Sequence, residues 1–177
     1  MSIGRISEFG FFCVVAAAAV LPGHAQSPGQ TVPPPKIFGG ASIHEIYRVS
    51  LDRGAMLLES VEDVIKQKDI REGEVLITAG AVDECTFHYN TGTGARPENV
   101  FKTVKGPYEI LGGGGIIAGG EPHLHISLAL ADHGAVGGHL EKGCRILYLA
   151  ELTIFKYSAP PLTRRKNANG IFLLDSR

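Results

Sequence analysis

Along most of this chain apolar and polar residues alternate one by one, and a single long stretch breaks that rhythm for a helical one. Met56 to Ile70 sets Leu57, Leu58, Val61, Val64 and Ile65 at three- and four-residue spacing with Glu and Lys on the other side, which predicts an amphipathic helix laid on a sheet. Arg71-Glu72-Gly73 should end it, since glycine is the usual residue beyond a helix C-terminus. Before the helix, Ile43 to Leu51 (IHEIYRVSL) reads as a first strand closed by the turn Asp52-Arg53-Gly54. After it the period is strand-like and stays so, through Val75 to Ala79, Val82 to Tyr89, Val100 to Val104 and Tyr108 to Ile117. Thr91 to Asn99 (TGTGARPEN) is a run of turn formers expected as an exposed, mobile loop. The pattern predicts an α+β fold, a single compact domain of mostly antiparallel twisted sheet with one main amphipathic helix packed on it.

The alternation is cleanest from Pro122 to Leu130, where His123, His125, Ser127 and Ala129 fall on one side and Leu124, Ile126, Leu128 and Leu130 on the other. Asp132-His133-Gly134 supplies a turn, Ala135-Val136 starts a return, and Gly137-Gly138 brings His139 back toward the first two histidines. Residues two apart on a strand point the same way with Cα atoms about 6.6 Å apart. The imidazoles of His123 and His125 can therefore turn toward one ion at about 2.0–2.1 Å, with His139 as a third ligand. Three neutral nitrogens and an open position suit a divalent metal, zinc first. The plainer alternative is a hydrogen-bonded polar cluster at a subunit interface. His88, on a neighbouring strand, is placed as a fourth partner or a supporting group, and His133 in the turn as a solvated side chain. A long run from Cys144 to Phe155, rich in Ile, Leu, Tyr and Thr, predicts a well-buried strand.

Residues 120–154, GEPHLHISLALADHGAVGGHLEKGCRILYLAELTI, together with GPYEIL at Gly106 to Leu111, resemble the PPC domain, the plants and prokaryotes conserved family. The resemblance runs from about Tyr47 to Tyr157, and PHLHISL and GGHL are its most specific motifs. It implies a compact α/β domain that assembles as a homotrimer, in a family whose members often carry a DNA-binding label by analogy with plant relatives. Those relatives bind DNA through a separate AT-hook around Arg-Gly-Arg-Pro. Here Gly94-Ala95-Arg96-Pro97 lacks the flanking basic residues, and the GRFEIL-type motif reads GPYEIL, with Pro107 in place of arginine.

Composition narrows this further. A net charge of −1 over 177 residues provides no basic field to draw in a phosphate backbone, so nucleic acid is not favoured as a partner. Arg5, the uncharged run Phe9 to Leu21 and the small residues around Gly23-His24-Ala25 follow the pattern of a secretory leader, cleaved after Ala25. The run is shorter than the roughly 20 apolar residues of a spanning helix. The expected organisation is a signal peptide at 1–25, a Pro-rich linker at 26–42, the PPC-like domain at 43–157 and a tail at 158–177, giving a secreted or periplasmic protein with no membrane attachment after cleavage. In the tail, Ile171 to Leu174 is expected to dock back as a short strand after the basic triplet Arg164-Arg165-Lys166.

Gly112 to Gly120 (GGGGIIAGG) approximates a dinucleotide fingerprint, but a strand follows it where that fingerprint needs a helix. Glycines that admit a close backbone approach are the better reading. Cys85 and Cys144 remain once the leader is removed; they can pair or lie buried, and their apolar surroundings favour free buried thiols. Three readings of function follow in order: an exported trimeric module binding a metal or small ligand, a DNA-associated protein, and a metal-dependent enzyme. The last needs a general base, for which Glu121 and Glu141, bracketing the histidines, are the candidates, against the plainer reading as surface carboxylates.

Overall fold

The computed structural model describes residues 32–130 and 134–177; the expected leader and His133 lie outside the described residues. Residues 37–177 form one compact unit. Its elements are β1 (Ser42–Asp52), α1 (Leu57–Gln67), β2 (Glu72–Asn90), β3 (Asn99–Ala118), β4 (Glu121–Leu130), β5 (Gly134–Leu140), β6 (Arg145–Ser158), β7 (Leu162–Lys166) and β8 (Phe172–Ser176). The fold is the expected one: an antiparallel sheet with one helix. Residues 32–41 carry neither helix nor strand. Among the described residues no helix is long and apolar enough to cross a membrane.

Six strands run in the order β1-β6-β2-β3-β4-β5, all neighbours antiparallel. One further pairing closes part of this sheet on itself. β2 is 19 residues long, and along one edge it pairs first with β6 up to Glu84↔Arg145 and then with β5 at Phe87↔Leu140 and His88↔His139. The strand breaks expected near residues 80 and 105 are not chain ends: they are irregularities of register inside β2 and β3. The glycines between them keep the chain extended while it bends.

The core lies between the helix and the sheet. Leu57, Leu58, Val61 and Ile65 of α1 are buried there with Val75, Ile77, Phe87, Leu124, Ile126, Leu128, Ile146 and Ile154 of the sheet. Helix α1 ends on Asp69 rather than on a glycine. Asp69 takes the left-handed conformation (φ 45°), Ile70 N–H donates to Ile65 O at 2.9 Å and Asp69 N–H to Lys66 O at 3.4 Å, the two bonds of a Schellman closure. The expected stop glycine, Gly73, is instead a strand residue whose added Cβ would lie 2.2 Å from Phe155 O. β6 is not buried throughout: Ile146, Ala150, Leu152 and Ile154 lie in the core, while Tyr148 and Leu149 are exposed at 65% and 46%. An apolar run in an antiparallel sheet does not require both faces to be covered. The tail strand β8 pairs with β7, not with the main sheet, so the tail is a hairpin of its own.

Cys85 and Cys144 form a disulfide, against the expectation of free thiols. Register explains it. Glu84↔Arg145 is the last aligned pair of β2 and β6, and the next step of the same antiparallel register puts Cys85 opposite Cys144. The two residues are 59 apart in sequence, so only the sheet topology makes them neighbours. Closing a loop of that length should stabilise the fold by about 4 kcal/mol. Peptide mapping without reduction should recover the two cysteine peptides linked, and a reductant should lower the denaturation midpoint; two alkylatable thiols in the unreduced protein would contradict the bond.

Candidate metal centre

Four histidines come from three adjacent strands. In antiparallel sheet, residues directly opposite one another project from the same face. His88 is opposite His139, and His139 is opposite His125. This lays three imidazoles in a row across β2, β5 and β4, with His123 two residues along β4 on the same face. On the far side of His125 the row continues into Gly114 of β3, which has no side chain to crowd it.

Backbone proximity is what the glycines supply. A Cβ at Gly137 would lie 2.0 Å from Ile126 O, and one at Gly138 would lie 2.2 Å from His88 O. Only a chain without side chains at those two positions fits between β4 and β2. The GGGG run acts the same way from β3: a Cβ at Gly114 would meet Val75 O at 2.3 Å and one at Gly115 would meet His123 O at 2.0 Å. The glycine-rich segment is therefore strand, with no helix after it to hold a pyrophosphate.

His123, His125 and His139, the three residues predicted as ligands, come together: one ring nitrogen of each lies within 4.8 Å of the others. The ring centroids are 5.4 Å apart for His123 and His125, 4.8 Å for His123 and His139, and 5.5 Å for His125 and His139. Nitrogens sharing one ion at about 2.1 Å are at most about 4.2 Å apart, so the rings would draw slightly closer around a bound ion. The donor set fits a borderline-soft divalent ion such as zinc, with at least one position left open.

His88 stands beside this trio, its ring 4.5 Å from that of His139 and 5.0 Å from that of Phe101. Its Nδ1 is 2.6 Å from Glu141 Oε1. When Nδ1–H donates to that carboxylate, Nε2 keeps its lone pair, the arrangement by which carboxylates orient metal-site histidines. His88, His139 and Glu141 also make a second three-donor group, sharing His139 with the first. Of the two carboxylates predicted as bases, Glu141 is thus tied to His88. Glu121 is exposed and outside both groups.

Electrostatics favours the neutral form of all three rings. Burial pushes His123 down to about 4 from its ordinary 6.5, and the positive charge of Arg164 and the neighbouring rings add to the effect. His125 and His139 are lowered too, first by burial, then by His88 and by Arg164; for His139 the carboxylate of Glu141 opposes the shift. Arg164 belongs to β7 and is the residue that sequence reasoning missed. It was visible only as part of a basic triplet in the tail, with nothing to connect it to residues some forty positions earlier. The hairpin is fixed by Glu72, whose Oε1 accepts from Leu162 N–H at 2.9 Å and Gly119 N–H at 3.2 Å.

Fold and site place the chain in a family. It belongs to the Plants and Prokaryotes Conserved (PCC) domain family, whose model matches residues 39–158, more than half of the chain. A metal-containing protein from Archaeoglobus fulgidus superposes with a TM-score of 0.70 at 24% identity, over 80% of this chain and 99% of that one. A plant- and prokaryote-conserved protein from Pyrococcus horikoshii gives 0.68 at 22% identity, again over 80% and 99%. A candidate DNA-binding protein from Bacteroides thetaiotaomicron gives 0.67 at 24%, over 76% and 94%. At these identities the likeness is one of fold. Among curated proteins, the bifunctional protein GlmU of Synechococcus sp. (strain JA-2-3B'a(2-13)) is 28% identical over 122 residues, 66% of this chain; the chain spans only 18% of that relative's length.

The depressed His123 titration makes a stability prediction. Between about 4 and 6.5 the unfolded chain binds a proton at this position that the folded chain does not, so stability falls as pH drops through that window and is unaffected by His123 above it. In chelator-treated protein, urea midpoints should decline from pH 6.5 toward pH 4 more steeply for wild type than for His123→Ala. Equal slopes would show that His123 titrates normally in the fold.

Proposed function

We propose that this protein is an exported PCC-domain module that binds one divalent metal ion, zinc by the nature of its donors, through His123, His125 and His139, and works as a homotrimer. The observation that carries the reading is the convergence of three imidazole nitrogens within 4.8 Å on a face whose opposite side is the buried core. Neutral imidazole is the form that coordinates, and burial favours that form at all three positions. The metal-containing relative from A. fulgidus supports it.

Export rests on the leader-like N-terminus and gains support from the Cys85–Cys144 disulfide, because such bonds persist in oxidising compartments. Trimerisation rests on the family and on apolar side chains left on the sheet surface, among them Leu76, Leu111, Tyr148 and Leu149. DNA binding has the name of the B. thetaiotaomicron relative in its favour and the net charge of −1 against it. Catalysis is a second reading with its own observation: the His88–Glu141 pair holds an imidazole beside the trio, where a base next to an open coordination position would serve hydrolysis.

Elemental analysis of the purified protein tests the metal reading. Wild type should retain close to one equivalent of metal per chain, and His125→Ala should lose it while melting as metal-free wild type does, since Leu124, Ile126 and Leu128 on the core face are untouched. If wild type offered zinc, iron, nickel and manganese in turn keeps none above background, the histidines are a polar cluster and the reading fails.

A further inference from the structure

A second group of donors lies at the other end of the histidine row, and it differs from the trio in carrying a charge. His88 of β2, His139 of β5 and Glu141, the residue after β5, each place one donor atom within 4.8 Å of the other two. Nδ1 of His88 and Oε1 of Glu141 are already 2.6 Å apart. Donors at right angles around an ion about 2.1 Å away are about 3 Å apart, so this pair is close to a coordinating separation.

The backbone holds this group in place. His88 is opposite His139, and Glu141 N–H donates to Thr86 O at 3.0 Å, which ties the residue carrying the carboxylate back to β2. The disulfide adds a second tie, since Cys85 precedes His88 on β2 and Cys144 follows Glu141 in the next segment. Ions can reach the donors from solvent: the side chains of His88 and Glu141 keep 18% and 31% of their exposure. The trio has no anionic ligand to balance a divalent charge, and this group has one.

We propose that His88, His139 and Glu141 form a second, more weakly binding metal seat for harder divalent ions of the manganese(II) and iron(II) kind, open only while no ion occupies the trio. Two imidazoles and one carboxylate with free positions are a donor set that suits such ions, whereas three neutral nitrogens suit zinc. Binding is weak because the ion replaces the hydrogen bond between Nδ1–H and Glu141: His88 keeps its charge, but its proton moves to Nε2 so that Nδ1 can coordinate. Exclusion follows from His139. A neutral imidazole has one N–H and one lone pair, so it serves one ion at a time. That exclusion rests on the trio reading above; the seat itself rests on its own donors.

The test is a manganese(II) titration of chelator-treated protein, with the free ion read by electron paramagnetic resonance. Wild type should bind one equivalent, and His125→Ala should bind it almost as well, since His125 is no part of the seat. Glu141→Gln should bind about tenfold more weakly or worse; where that variant does not fold, His88→Ala asks the same of the other donor. One equivalent of zinc added to wild type should release the manganese. If His125→Ala loses manganese as it loses zinc, the ion sits in the trio, which overturns the second seat and leaves the zinc reading intact. Unchanged affinity in Glu141→Gln or His88→Ala, no binding up to millimolar manganese, or manganese held beside a full equivalent of zinc would each overturn the proposal. Zinc retention by wild type, measured separately, decides the trio.

Discussion

The histidine cluster depends on a steric permission: β5 reaches both of its neighbours because Gly137 and Gly138 have no Cβ. A side chain at either position would sit about 2 Å from a carbonyl oxygen of β4 or β2. With the glycines there, His139 is registered simultaneously against His125 and His88, and the sheet closes on itself. Without them β5 would have to leave one neighbour, and the row of imidazoles would lose its middle member. The core face of β4 then anchors the arrangement, since Leu124, Ile126 and Leu128 are nearly inaccessible and fix which way His123 and His125 point.

Around that row the polar groups act on one another through short, identifiable links. Glu141 orients His88, Glu72 holds the tail hairpin, and the hairpin puts the guanidinium of Arg164 within electrostatic reach of the trio. Arg164 is half-buried, and burial pulls its guanidinium down from its usual range while Glu121 opposes the shift. A positive charge near three imidazoles disfavours their protonation, so Arg164 helps keep them in the form that coordinates. The disulfide, on the same edge of β2 and three residues before His88, secures the register from which His88 is displayed.

Much of this was legible in the sequence because two periodicities report it directly. Alternation from Pro122 to Leu130 and the helical spacing of Leu57, Leu58, Val61 and Ile65 each reflect a local element with one buried face, and both elements formed as expected. The histidine trio was legible for the same reason, helped by a family motif. What was hidden is what depends on register between distant strands. The Cys85–Cys144 bond, the charge of Arg164 near His123 and the hydrogen bond from Leu162 N–H to Glu72 Oε1 all link residues roughly 40 to 90 positions apart. Helix termination was hidden differently: Asp69 supplied a left-handed cap that glycine usually provides, freeing Gly73 for a close approach to Phe155.

Anomalous diffraction at the zinc edge, from crystals grown with zinc, examines the centre of this account without reliance on activity. The strongest peak should fall about 2.0–2.1 Å from one ring nitrogen each of His123, His125 and His139, with His88 still bonded to Glu141. A strongest peak away from these three rings, or none in crystals whose solution protein carries zinc, would contradict it.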